Sequence, residues 1–482
     1  MAFLRNTPLF TILFIAFLSS IESQAQTDFQ VELNKIEIQD MPGLHSFSWA
    51  VNSAGEWLII GGRKDGLHQR QPHSAFLSND NNVNIYVVSP SSNQVFSSTI
   101  SQLNENIREQ LQSTNQEFIQ RGNHLYIFGG YGYSESTRDH ITYPYLSAID
   151  VDGVTDAIKN SNSITKFIRQ IKDDRFAVTG GQIGLIDSTL YLCGGQKFTG
   201  RYNPMGPDHG PGFKQEYTDQ IRRFQLVDNG SELKVENYRA WTDKDLLHRR
   251  DYNMLPNLDA KIEGLIMFSG VFQPDQDIPW LNCVELNNQA YNEIPNFSQF
   301  LSQYHSAKLA MYNDQSGSMD YLFFGGMSQY FMDDKNNLIK DDDVPFVNTI
   351  SSIHQTSTDS FIESKLNIEM PGLLGSGSEF IPLHDKDLYL DRDILNWNKI
   401  GATKTLIGHI IGGIESSEAN IFFKNTGTQS NASAKVFEVY LRNGALSNYS
   451  SQLETKNILQ LKVLENPIHE ILKLNAFFPQ SN

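Results

Sequence analysis

The sequence predicts an all-β chain assembled from a repeated four-stranded antiparallel unit, and three observations carry that expectation. An apolar run ending in two small residues recurs six times: WLIIGG (57 to 62), LYIFGG (125 to 130), LYLCGG (190 to 195), LIMFSG (265 to 270), YLFFGG (321 to 326) and GHIIGG (408 to 413). An earlier strand and a turn rich in Gly, Asn, Asp and Ser precede five of these runs, and a further strand candidate follows each after a variable loop. The runs are continuous rather than alternating, which marks a strand covered on both faces. Four strands cannot bury both faces alone, whereas sheets stacked radially bury every face between neighbours.

Taken in order, the chain opens with Arg5, the apolar run PLFTILFIAFL (8 to 18) and the small residues Ser23 and Ala25. This is the pattern of a secretory signal peptide cleaved near Ala25, too short to span a bilayer; a buried N-terminal strand is the alternative. The chain from Gln26 is therefore expected outside the cytoplasm, secreted or on the outer cell surface, with no membrane span. The strand-turn pairs then read FSWAV and NSAGE, EFIQ and RGNH, GQIGLI and DST, NMLPNL and DAKIEG, AKLAMY and NDQSGSMD. Such turns suit tight hairpins. The third strands read VNIYVVS, LSAIDVD, IRRFQLVD, LNCVELN, TISSIHQT and AKVFEVYLR, with fourth pieces such as KVENYRAW and FIESKLNIEM. Ser269 and His409 depart from the pattern in the fourth and sixth copies. A Gly pair lets backbone pass close to the next sheet and tolerates positive φ.

Composition narrows the function classes. There are 55 acidic and 38 basic residues, a net charge of −17, and no long Lys/Arg run, so nucleic acid is not an expected partner. Two cysteines in an exported chain of 482 residues mean that the fold does not rest on disulfides. Cys193 and Cys283 lie in apolar runs and read as buried small side chains, a disulfide between them being the lesser alternative.

The ordered repeats and their flanks resemble the Kelch-repeat family of β-propellers, in the galactose-oxidase-like superfamily; of the aromatic pair that usually follows the Gly doublet, Tyr238 and Trp241 remain. The resemblance implies a six-bladed Kelch-type β-propeller of four-stranded antiparallel blades over residues 26–450, a monomer with no cofactor. VELNKIEIQDMPGLHSF (31 to 47) reads like IESKLNIEMPGLLGSG (362 to 377), so residues 29 to 39 are expected to pair with AKVFEVYLR and close the ring. In the tail (451–482), LKVLENPIHEILKL (461 to 474) resembles the start of a type IX secretion sorting domain, truncated here; an ordinary terminal hairpin is the alternative.

In such propellers the loops after the second strands gather on one face and bind ligands. Those loops carry Arg63, His68, Arg70, Tyr131, Arg138, Arg201, Tyr202 and Tyr330, forked donors and flat rings suited to a protein or glycan ligand. Solvated or self-packed loop residues are the alternative at each position. The acidic runs Asp333, Asp334, Asp341 to Asp343 and Asp385 to Asp393 lack a defined calcium-loop spacing, and the histidines lack a zinc or copper spacing, so no metal is expected. The first functional reading is a secreted binding protein. The second, implied by the epimerases of the superfamily, is a sugar-modifying enzyme such as a sialic-acid mutarotase, with Arg250, Glu379 and His305 as catalytic candidates at the channel mouth.

Overall fold

Each of the six Gly- or Ser-terminated runs lies in the second strand of an antiparallel sheet, and alternation along it explains why both faces are apolar. The computed structural model describes residues 29–259, 262–385, 387–444 and the backbone of 449–452; the expected signal peptide and the LKVLENPIHEILKL segment lie outside the described residues. Sheet one comprises Ser48–Val51, Trp57–Ile60, Asn84–Ser89 and Gln94–Thr99, hydrogen-bonded in chain order. Sheet two is Glu117–Arg121, His124–Phe128, Tyr145–Asp150 and Ile168–Lys172; sheet three is Gln182–Ile186, Thr189–Cys193, Gln220–Asp228 and Leu233–Thr242. Sheet four is Asn253–Asp259, Ile262–Phe268, Val284–Leu286 and Tyr291–Glu293; sheet five is Ala307–Asn313, Ser318–Met327, Phe346–Gln355 and Phe361–Glu369. Leu373–Pro382, Thr405–Ser416 and Val436–Asn443 form sheet six, and Phe29–Ile36 from the start of the chain pairs antiparallel with Val436–Asn443, as expected. Tyr449–Gln452 adds to the outer edge of sheet five. The chain is thus all-β, with multiple four-stranded antiparallel sheets consistent with a β-propeller.

Successive residues of each second strand point to opposite faces. Leu58 and Ile60 pack with Leu125 and Ile127 between sheets one and two. Tyr126 and Phe128 meet Leu190 and Leu192 between sheets two and three, and Tyr191 and Cys193 meet Leu265 and Met267 in the next gap. Ile266 and Phe268 pack on Tyr321 and Phe323; Leu322 and Phe324 share a cluster with Ile407 and Ile410; and Ile411 packs with Trp57 and Ile59 of sheet one. Fully burying each of these large side chains is worth about 1.5–3 kcal/mol. Cys193 and Cys283 are buried and free.

The Gly doublets are required by close approach. A Cβ on Gly129 would sit 2.0 Å from the Val178 carbonyl oxygen, and its φ is +61°. Ser269 adopts the same left-handed conformation (φ 51°) and donates its hydroxyl to the Trp280 carbonyl at 2.6 Å, so the departure from Gly keeps the geometry. His409, the other departure, is buried with its ring 4.9 Å from that of Trp57.

Two features were not expected. The loops after the second strands of sheets two and three are not irregular: Tyr131–Ser134, Asp139–Thr142, Gln196–Gly200 and Phe213–Tyr217 form a further four-stranded sheet. Helix Val151–Lys159 begins where LSAIDVD reads as strand. Asp150 ends the strand and caps the helix by accepting from Gly153 N–H at 2.9 Å, and the helix buries Val151, Val154, Ala157 and Ile158 against sheets one and two.

One set of backbone hydrogen bonds links the six segments that lead into the first strands. Asn115 N–H donates to the Ser46 carbonyl at 3.1 Å, Gly180 to Asn115 at 3.3 Å, Asp251 to Gly180 at 2.7 Å, and His305 to Asp251 at 2.8 Å. Gly377 donates to His305 at 3.0 Å and Ser46 to Gly377 at 2.9 Å, so the six bonds form a cycle. Ser46, Asn115, Gly180, Asp251 and Gly377 all have positive φ, the turn each segment makes to enter its strand.

Candidate functional site

The first strands run side by side from this cycle, and between them lies a cavity of about 200 Å³. Its wall is mixed. Phe47, Trp49, Phe118 and Phe380 contribute rings, while Glu117, Asp251, His305, Lys308 and Glu379 contribute titratable groups. The far end is crossed by residues 383–404, an insertion between the first two strands of sheet six. Leu395–Asn396 pairs in parallel with Met311–Tyr312 of sheet five. Arg392, at φ 62°, donates to the Gly264 carbonyl at 3.0 Å and the Asn257 carbonyl at 3.4 Å, so this strap is pinned to sheet four as well.

Of the three catalytic candidates, the structure brings two together in the cavity. His305 Nε2 lies 2.9 Å from Glu379 Oε1, with side chains 17% and 7% exposed. Trp49 Nε1–H donates to Glu379 Oε2 at 3.4 Å. Burial would raise the Glu379 carboxyl, but Lys308, His305 and the Trp49 donor outweigh it and hold the carboxyl below its ordinary value. Burial lowers the Lys308 ammonium, opposed by Glu379. Arg250 lies alongside, at the cycle rather than on the cavity wall: it contacts the Asp251 carboxylate, donates to the Tyr217 hydroxyl at 3.1 Å, and sits 4.8 Å from the Phe272 ring.

Of the loop candidates, Arg63, His68, Arg70, Tyr131, Arg201 and Tyr202 lie in neighbouring loops away from this cavity, whereas Arg138 and Tyr330 stand apart from them. Tyr131 donates its hydroxyl to the Gly200 carbonyl at 2.9 Å and accepts from Tyr202 N–H at 2.8 Å, joining the loops of sheets two and three. His68 packs against Tyr202, Phe76 and Phe422, and burial lowers its imidazole to about 4, so it is neutral at pH 7. Arg63 is buried, bonded to Asp65 at 2.8 and 2.7 Å and to Asn81 at 2.9 Å. Arg70 contacts the Pro204 carbonyl and lies over the Phe422 and Phe423 rings at 5.4 and 5.3 Å. Arg201 donates to the His73 carbonyl at 3.0 Å, Arg138 is exposed at a hairpin turn, and the Tyr330 ring packs 5.1 Å from Phe300. Among the described residues, no group of three or more His, Cys, Asp or Glu side chains converges as a metal site would require, and no helix is long and apolar enough to cross a membrane.

Sequence reasoning missed Glu117, Lys308, Trp49 and Arg392. The signal for Glu117 was present: counted from the cycle residues Asn115 and Gly377, Glu117 and Glu379 are both two positions on, each followed by Phe. Lys308 and Trp49 sit in short strands that read as core, and nothing in the sequence ties Arg392 to a strand of another sheet.

No family model matches this sequence, and no curated protein matches it. Among solved structures, the chain is similar to one titled "Structure of YjhT", with a TM-score of 0.43 and 10% identity over 85% of this chain and 99% of that chain.

Proposed function

We propose that this protein is an exported, closed six-bladed Kelch-type β-propeller that binds a small sugar in its central channel and catalyses interconversion of the sugar's anomers. The observation that carries the reading is the His305–Glu379 contact inside the cavity, made between the segment leading into sheet five and the first strand of sheet six. Ring closure is supported by the hydrogen-bond cycle, by apolar packing between sheets six and one, and by the pairing of Phe29–Ile36 with Val436–Asn443. A cavity of about 200 Å³ lies below the roughly 300–1,000 Å³ of drug-sized sites and suits one monosaccharide. Aromatic faces pack on the C–H faces of a sugar ring, while the polar groups reach its hydroxyls.

Mutarotation needs a base to take the anomeric hydroxyl proton. An ionised Glu379 against His305 provides it: the imidazole accepts the proton and the carboxylate stabilises the resulting imidazolium. The test is exchange NMR between anomers of a panel of neutral and acidic monosaccharides. Wild-type protein is expected to accelerate exchange for at least one of them, and His305→Gln or Glu379→Gln to lower that acceleration about 10²- to 10⁴-fold. Wild-type rates equal to buffer across the panel would falsify the reading.

A second reading, a loop-face binding protein for a protein or glycan ligand, is favoured by one observation. Phe423 (62% exposed) and Met205 (42% exposed) flank the Arg70 contacts and leave apolar surface in solvent. Retention of glycans without exchange, lost on Phe423→Ser, would support this reading over the first. Export rests on the leader sequence, and N-terminal sequencing of the mature protein tests it.

A further inference from the structure

We propose that Glu117 is the proton donor of the channel reaction, acting on the sugar ring oxygen while the His305–Glu379 pair acts on the anomeric hydroxyl. This rests on the mutarotase reading and adds the acid that such a reaction requires. Glu117 and Glu379 occupy equivalent positions in the first strands of sheets two and six, which flank sheet one on either side, and both line the same cavity. Trp49 of sheet one stands between them, bonding Glu379 through its indole N–H and packing its ring 6.0 Å from that of Phe118.

The partners of the two carboxyls are opposite in kind. Glu379 is surrounded by Lys308, His305 and the Trp49 donor, all of which favour its anion. Glu117 is 2% exposed; its Oε1 accepts from Gly181 N–H at 2.6 Å, and its Oε2 is buried with no hydrogen-bond partner. A buried carboxylate oxygen without a donor is costly, whereas a protonated Oε2–H is a donor awaiting an acceptor. Burial pushes the Glu117 carboxyl up to about 8, against the Gly181 N–H and the Arg222 charge and with the Asp251 charge adding to the rise. The cavity also carries Asp251, held by Arg250, and Asp393, in the strap across its far end and likewise raised by burial. The two carboxyls at equivalent first-strand positions, Glu117 and Glu379, are driven apart in acidity by their surroundings and define an acid and a base.

The step balances. His305 takes the proton from the anomeric hydroxyl as the bond between the anomeric carbon and the ring oxygen breaks, and Glu117 gives its proton to that ring oxygen, leaving the open-chain carbonyl form. After rotation of the carbonyl, the former ring hydroxyl attacks either face. Glu117 recovers its proton from that hydroxyl, and His305 returns the other to the carbonyl oxygen.

The experiment uses the full chain and measures anomer exchange by NMR from pH 5 to 10 for wild type, Glu117→Gln and Glu379→Gln. Thermal melts serve as a check on folding. Infrared titration of the wild type minus Glu117→Gln reads the protonated carboxyl directly. Expected are a wild-type rate that falls as pH rises through about 8, a loss of about 10²-fold or more in Glu117→Gln, and a carboxylic-acid band at pH 7 in the difference between wild type and Glu117→Gln, in which the band of the buried Glu363 cancels. Wild-type activity that Glu117→Gln leaves intact, or a missing band at pH 7, overturns the role of Glu117 and leaves the mutarotase reading standing. Absence of exchange in wild type overturns both. The wild-type pH profile keeps the proposal open to refutation even if the variant misfolds, because a rate that does not fall above pH 8 contradicts it.

Discussion

Glu363 shows at the scale of one side chain how this fold uses buried acids away from the cavity. Its carboxylate accepts from Phe300 N–H at 2.7 Å and Leu301 N–H at 3.0 Å, tying the connection between sheets four and five to the outer strand of sheet five. Burial nevertheless outweighs both donors and raises the group to about 8. The folded protein therefore holds this proton more tightly than the unfolded chain does, where the carboxyl titrates near 4.5. The resulting stabilisation is complete below that value and is lost as pH rises towards 8. Wild-type unfolding free energy, measured with denaturant at pH 5, 6.5 and 8, should carry a downward component of roughly 1 kcal/mol per pH unit from this group. Glu363→Gln removes that component, and identical pH slopes in the two proteins would contradict the assignment. Arg63 illustrates the opposite economy of charge. Its type and loop position suggest ligand binding, yet Asp65 and Asn81 occupy its donors. A charged residue in a loop reads the same in sequence whether it faces solvent or a neighbouring carboxylate, because that neighbour is chosen by the turn of the loop.

Among the elements, the second strands were the most legible, since a strand packed on both faces must be apolar at every position and must end where the backbone needs positive φ. The extra sheet built from Tyr131–Ser134, Asp139–Thr142, Gln196–Gly200 and Phe213–Tyr217 was not legible. Its strands are four or five residues long, carry charged and glycine residues, and gain their pairing from a loop of the adjacent sheet. The strap at 383–404 escaped for a related reason: its acidic residues read as a solvated loop, whereas it is held by a short parallel pairing with sheet five, by the buried Leu388, Ile394, Leu395 and Ile400, and by one arginine reaching carbonyls of sheets three and four. Arg392→Ala should free this element. Hydrogen bonds from a charged donor are worth about 1.5–3 kcal/mol, so amide exchange across 388–400 should accelerate about ten- to a hundredfold. Exchange within sheets one and two, which neither the strap's backbone nor Arg392 joins, should stay unchanged, whereas Arg392 also reaches the Leu185 carbonyl of sheet three at 3.5 Å. Uniform acceleration throughout the molecule, or none in the strap, would show that Arg392 does not hold it.

At the scale of the whole molecule, the question is what fastens the two ends of a chain that has no disulfide among its described residues. The pairing of Phe29–Ile36 with Val436–Asn443 places the first described strand beside one of the last, over eight residue pairs. It also seats Phe29 and Val31 in the cluster between sheets five and six, and Ile38 follows in the cluster between sheets six and one. The match of residues 31 to 47 with 362 to 377 made this pairing readable, because the start of the chain repeats the step from the outer strand of sheet five to the inner strand of sheet six. Removing residues 26–40 would leave one edge of Val436–Asn443 unpaired and take Phe29, Val31 and Ile38 out of the clusters they fill, baring the side chains they cover. At about 1.5–3 kcal/mol for each large apolar side chain, the loss is of order 5 kcal/mol or more, comparable to the whole stability of many domains. The deletion should therefore lower the thermal midpoint by many degrees, broaden the transition and promote association through the bared edge. Calorimetry and light scattering on the full and shortened chains decide it. An unchanged midpoint with an unchanged monomer fraction would mean that the sheets hold together without this strand, through the hydrogen-bond cycle and inter-sheet packing alone.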